Sequence, residues 1–124
     1  MMITKFRIEE AAATPEFGMA CQRLVPWRDA SPEPPVGAMA CFLPAKGASD
    51  PDRHDQDEVM IVLSGGGVVE LDGETAEFGA GEVIVLPRNK EHVVRNPLDV
   101  PCTWVSLYWP LHEPRPAAAP GATA

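Results

Sequence analysis

Residues 52–65 read DRHDQDEVMIVLSG, and residues 81–96 read GEVIVLPRNKEHVVRN. Within them stand two spaced patterns, Asp52-x-His54-x3-Glu58-x6-Gly65 and Gly81-x5-Pro87-x4-His92-x3-Asn96. The chain has three histidines, and two of them fall in these patterns. Asp52, His54 and Glu58 are all even-numbered, so one face of an extended strand can carry them. A straight strand would still hold His54 and Glu58 about 13 Å apart. Ligands of one ion must each come within about 2 Å of it. A kink or a crossing between strands is therefore expected at Asp55-Gln56-Asp57. His92 has to arrive from another strand, beyond the turn Pro87-Arg88-Asn89-Lys90, as closure of a barrel would allow.

The rest of the chain reads as short strands. Residues 58–64 (EVMIVLS) give the strongest strand signal, rich in β-branched side chains. Around them, residues 3–8, 17–25, 36–43, 68–71, 74–78, 82–86, 91–95 and 102–109 are further expected strands, with a helical turn at 9–13. Gly65-Gly66-Gly67 and Asp72-Gly73 read as turns, the second of the type I′ hairpin kind. The proline-rich stretch 26–35 reads as a loop, and the polar stretch 44–57 carries the first half of the pattern. With 14 prolines and 10 glycines in 124 residues, long helices are disfavoured. Eight to ten short strands at regular spacing mean an all-β sandwich or barrel. One domain is expected over residues 1–112, with residues 3–25 packing on the barrel or on a partner. Residues 113–124 are expected to form a disordered Pro/Ala-rich tail.

Bulk properties exclude several functions. The net charge of −8 argues against nucleic acid, which needs clustered Lys and Arg. It also argues against an anionic membrane surface. No apolar run approaches the roughly 18 residues of a membrane span. The N-terminus MMITKFRIEE lacks the apolar centre of a signal peptide. Cys21, Cys41 and Cys102 are too few and too scattered for a disulfide framework, so reduced thiols in a cytoplasm are expected. The Gly65–Gly67 run is no phosphate cradle, since no Lys-Ser/Thr follows. His112 reads as a solvated surface residue.

The two patterns resemble those of the cupin superfamily, over roughly residues 36–109. The family's first motif carries two His two apart, then Glu, then Gly; here Asp52 stands in the place of the first His. Its second motif is matched by Gly81, Pro87, His92 and Asn96, with Asn89 in place of a turn Gly. The resemblance implies a cupin-type jelly-roll β-barrel that holds one divalent transition metal ion, Fe, Mn, Zn or Ni. Asp52, His54, Glu58 and His92 would be its ligands. His54, Glu58 and His92 alone form a two-His-one-carboxylate set with open positions. The other reading of these residues is an ordinary polar rim on a barrel mouth.

The function expected is a metal-dependent enzyme acting on a small organic molecule, by oxygenase, isomerase, lyase or cyclase chemistry. Glu58, if not bound to metal, would serve as general base. The alternative is a non-catalytic small-molecule-binding or sensing module. Met60, Val62, Trp104 and Tyr108 are expected to line the substrate pocket. The run Val59–Leu63 is apolar on both strand faces, so a second layer or a partner must cover the outer one, and a homodimer is expected.

Overall fold

The computed structural model describes residues 3–114. Its strands are β1 (Thr14–Glu16), β2 (Met19–Val25), β3 (Gly37–Leu43), β4 (Asp57–Ser64), β5 (Gly66–Leu71), β6 (Glu74–Gly79), β7 (Val83–Leu86), β8 (His92–Arg95) and β9 (Cys102–Trp109). A 3-10 turn, Glu10–Ala12, precedes them. Every ladder between them is antiparallel. They form a six-stranded sheet in the order β1-β2-β3-β9-β4-β7 and a three-stranded sheet in the order β6-β5-β8.

Alternation along the chain decides which side chains face the interior. On β4, Glu58, Met60 and Val62 are buried, while Val59 and Ile61 are less so. These three stand opposite Tyr108, Ser106 and Trp104 of β9. The row continues onto Gly37, Met39 and Cys41 of β3. A Cβ on Gly37 would overlap the Tyr108 ring, so the ring lies against bare glycine backbone. The smaller sheet contributes Val69, Phe78 and Val94 to the same core. Cys21 and Cys41 are register partners, and with Cys102 they are free and buried. They act as small apolar core residues.

Several local expectations need correction. Residues 3–8 form no strand. Instead, the Gln22 amide anchors this segment, donating to the Arg7 carbonyl at 2.8 Å and accepting from the Glu9 N–H at 2.8 Å. The extra strand β1 exists because Phe17 and Gly18, at φ 54° and 76°, make a tight hairpin turn into β2. Of the three consecutive glycines, only Gly65 turns the chain, at φ +75°. Gly66 and Gly67 belong to β5, where an added Cβ would press on the Phe78 carbonyl at 2.7 Å and the Phe78 ring at 2.9 Å. The polar stretch after Pro44 is tied to the smaller sheet. It runs beside β8 with bridges at Ala48↔Arg95 and Asp52↔His92, extending the smaller sheet. From residue 115 on, the expected tail lies outside the described residues.

Asn96 shows how a motif residue can serve the fold alone. Its side chain is 1% exposed. It donates to the carbonyls of Pro44 at 3.1 Å and Val100 at 2.8 Å, and accepts from the Leu98 N–H at 3.0 Å. The turn from β8 into β9 is thus built around one amide. Asn96→Ala orphans the Val100 carbonyl and the Leu98 N–H, removes one of two donors to the Pro44 carbonyl, and is expected to cost about 2–4 kcal/mol. Urea unfolding should show a lower midpoint at unchanged slope. A midpoint equal to the parent's would contradict this role.

Candidate metal centre

The centre forms where the two sheets meet. Asp52 and His92 exchange backbone hydrogen bonds, the Asp52 N–H donating to the His92 carbonyl at 3.1 Å and the reverse at 2.9 Å. That pairing puts a carboxylate from the segment after Pro44 next to an imidazole of β8. Residues 53–56 then cross to the larger sheet, where Glu58 is the first buried residue of β4. His54 lies in this crossing. The Asn89 N–H holds the crossing by donating to the His54 carbonyl at 2.9 Å, and the Asn89 side chain donates to Asp55 at 3.2 Å. Asn89 adopts φ 62°, a left-handed conformation that Asn tolerates well. Arg88 adds an ion pair to Asp57 at 3.1 Å. The turn after Pro87 thus braces the loop that carries His54.

The four polar side chains converge. His54 Nε2 lies 2.9 Å from Glu58 Oε1 and 3.7 Å from Asp52 Oδ2. His92 Nε2 lies 3.7 Å from Glu58 Oε1 and 4.0 Å from Asp52 Oδ2. Atoms that each sit about 2.1 Å from one ion are roughly 3.0–3.4 Å from each other. The observed separations straddle that range. Asp52, His54 and His92 each offer one ligand atom, all within 4.8 Å of one another. Glu58 is not one of that mutually close trio, but its Oε1 lies 2.9 and 3.7 Å from the two imidazoles.

Burial and hydrogen bonding aim these groups. The His92 Nδ1 faces the Lys90 carbonyl at 3.3 Å, which suits Nδ1–H as donor and leaves Nε2 as a lone pair toward the centre. The His54 Nδ1 is buried without a partner among the described residues. Among side-chain contacts, that ring is therefore held through Nε2, by its hydrogen bond to Glu58 Oε1 at 2.9 Å. Glu58 Oε2 accepts from Ser106 Oγ at 2.7 Å, and Ser106 in turn accepts from the Trp104 indole N–H at 3.0 Å. Burial pushes the Glu58 carboxyl up, but the hydrogen bonds from His54 and Ser106 and the charge of His92 outweigh it and hold it below its usual value. The hydrogen bond to Glu58 raises the His54 imidazole above its ordinary value, against the opposing effect of burial. Two carboxylates and two imidazoles in one buried spot are a donor set that a divalent cation neutralises.

The centre opens into a cavity of about 500 Å³ whose walls include Phe17, Met19, Met39, Val94 and Leu111. Of the four residues expected to line a pocket, Tyr108 does so. Met60, Val62 and Trp104 are corrected to core residues, at most 2% exposed and packed between the sheets. Their inward direction was legible, but the depth at which the core ends and the cavity begins was not. His112 stands at the cavity mouth, largely exposed and paired with Glu33 at 2.9 Å. Sequence reasoning missed Ser106 and Arg23. The signal for each was a polar residue in an otherwise apolar inward-facing row.

The chain matches the family described as Cupin domain over residues 39–108. Its fold is shared with a Cupin 2 conserved barrel domain protein from Salinispora arenicola, at TM-score 0.78 and 25% identity over 88% of this chain and 90% of that one. The polyketide cyclase RemF from Streptomyces resistomycificus is similar in fold, at TM-score 0.71 and 20% identity over 90% and 83% of the two chains. A stretch of 78 residues, 62% of this chain, is 36% identical to Endoribonuclease YbeY of Myxococcus xanthus. It spans only 26% of that protein, whose name describes the whole. With more than half of its length matched by the family and its two-sheet barrel shared with solved members, the chain belongs to the cupin family.

Proposed function

We propose that this cupin is a metal-dependent enzyme acting on a small organic molecule, with Asp52, His54, Glu58 and His92 holding one divalent transition metal ion. The observation that carries this reading is the convergence of two imidazole Nε2 atoms and two carboxylates on the lining of a cavity of about 500 Å³. Such a volume suits a small ligand, with apolar walls and a few convergent polar groups. The fold likeness to a polyketide cyclase favours catalysis over passive binding. The free thiols of Cys21, Cys41 and Cys102 suit a reducing cytoplasm. No helix among the described residues is long and apolar enough to cross a membrane.

A bound ion at this position would supply Lewis-acid polarisation of a substrate oxygen. The chain's own residues do the remaining work. Ser106 and Trp104 fix one oxygen of Glu58, which keeps its other oxygen turned toward the imidazoles. Glu58 is held in its ionised form, and its free oxygen Oε1 would ligate the ion or, where it does not, take a proton from the substrate.

Protein purified without chelator is expected to carry about one transition metal per chain by elemental analysis. Asp52→Ala should weaken retention by about tenfold or more, and Asp52→His should restore it. Protein that holds no metal and gains none from Fe, Mn, Ni or Zn would remove the reading. If both variants hold metal as the parent does, Asp52 is not a ligand. Retention without turnover of any small organic substrate would favour the non-catalytic sensing module.

The pH dependence has a definite sign. In metal-free protein, the raised His54 pKa contributes stability that is full below its ordinary value of 6.5 and is lost as pH rises through the raised folded value. The lowered Glu58 pKa contributes stability present above its ordinary 4.5 and lost as pH falls through the lowered folded value. The metal-free pair therefore stabilises most between these two ordinary values. An ion must displace the His54 proton, so its binding weakens as pH falls through the raised His54 value. The rise in Tm on adding zinc should be larger at pH 8 than at pH 6. An equal rise at both would contradict the assignment of His54.

The outer face of the larger sheet supports a homodimer. Val59, Ile61, Val105 and Leu107 lie there, and the edge strand β7 adds Val83 and Val85, which are 60% and 69% exposed. A second copy of the same apolar face is the partner that buries it without unpaired charge. Light scattering should give twice the 13.4 kDa chain mass. A monomer at micromolar concentration would overturn the dimer.

A further inference from the structure

We propose that one cavity wall, formed by Arg23 and the Tyr108 hydroxyl, holds the carboxylate of a small, singly charged organic acid with an apolar or aromatic body. This rests on the metal-dependent reading for where the reacting end of that molecule lies. Arg23 is the one Lys or Arg lining the cavity among the described residues. It projects from the inward face of β2, where Met39 is its register partner, and Met39 in turn partners Ser106.

Its guanidinium is fixed at two points. One nitrogen pairs with Glu16, and the other donates to the Tyr108 hydroxyl oxygen at 2.6 Å. An arginine can only donate, so the tyrosine oxygen is the acceptor in that bond. The Tyr108 O–H must then point elsewhere, and no acceptor meets it among the described residues. Tyr108 is 8% exposed and lines the cavity, so its proton is presented there. Arg23 lines the same cavity. A tyrosine proton without an acceptor, next to a guanidinium, is suited to an anionic oxygen.

The position also places that oxygen relative to the metal centre. Tyr108 stands directly across from Glu58 in the β4–β9 ladder. The Tyr108 ring reaches over Gly37 of β3 to Arg23 of β2, so a molecule anchored at its hydroxyl would extend along the shared cavity toward Glu58. Between the two anchor points the walls are Phe17, Met19 and Met39, which suit an apolar body. Multiply charged anions are disfavoured, because Arg23 already shares its charge with Glu16, and Asp50 and Glu113 also line the cavity.

Calorimetric titration with benzoate and with its neutral counterpart benzyl alcohol tests the proposal, on metal-free and on zinc-loaded protein. Benzoate should bind about tenfold tighter than benzyl alcohol. Arg23→Gln and Tyr108→Phe should each weaken benzoate by about fivefold or more while leaving benzyl alcohol unchanged. If Arg23→Gln does not fold, Tyr108→Phe decides, since it keeps the ring over Gly37 and removes only the hydroxyl. No preference for benzoate, no binding of it, or variants that bind it as the parent does would each overturn the proposal. The metal-free arm separates the two readings. Failure to retain zinc together with Arg23-dependent benzoate binding would remove the metal and leave this subsite standing. Zinc retention without that dependence would do the reverse.

Discussion

A carboxylate buried between two sheets has to be compensated, and Glu58 is the group around which this cupin arranges itself. Its side chain is 8% exposed, and an ionised carboxylate at such depth costs several kcal/mol unless partners surround it. One oxygen is met by Ser106, itself tied to Trp104. The other is met by His54 and faces His92. These partners come from β9, from the crossing at residues 53–56 and from β8. The register of β4 against β9, the Asp52–His92 pairing and the brace from Asn89 all serve that one requirement.

Compensation by two imidazoles is incomplete, because Asp52 brings a second carboxylate into the same space. Two carboxylates, each within about 4 Å of both imidazoles, are unstable as ordinary packing and suited to a cation. That distinguishes this cluster from the ion pairs elsewhere on the chain. Arg95 with Glu70, and Lys46 with Asp99, are exposed pairs of little energetic weight. The cluster also lines a cavity, so a bound ion would face both protein and substrate.

Much of this was legible in the sequence because strand periodicity has no slack. A period of two assigns Glu58, Met60 and Val62 to one face, and it assigns Trp104, Ser106 and Tyr108 likewise. Spacing alone required the chain to bend between His54 and Glu58, and residues 53–56 do cross between sheets there. Other features depend on contacts distant in sequence. Residues 3–8 alternate like a strand, yet Gln22 captures their backbone before any sheet edge does. Gly66 and Gly67 read as turn residues, but they are small because Phe78 packs on them. Arg23 stands out as a polar residue in the inward row of β2, but only the fold shows its role, with Tyr108 reaching over Gly37 of β3 to meet it.

The central claim is that Asp52, His54, Glu58 and His92 surround one metal ion. Anomalous diffraction from crystals of the metal-loaded protein, recorded on either side of the metal absorption edge, tests it most directly. The account predicts one strong anomalous peak per chain, within bonding distance, about 2.1 Å, of the His54 and His92 Nε2 atoms and in contact with a carboxylate. A difference map with no peak in this cluster, or with the only peak at His112 and Glu33, would contradict it.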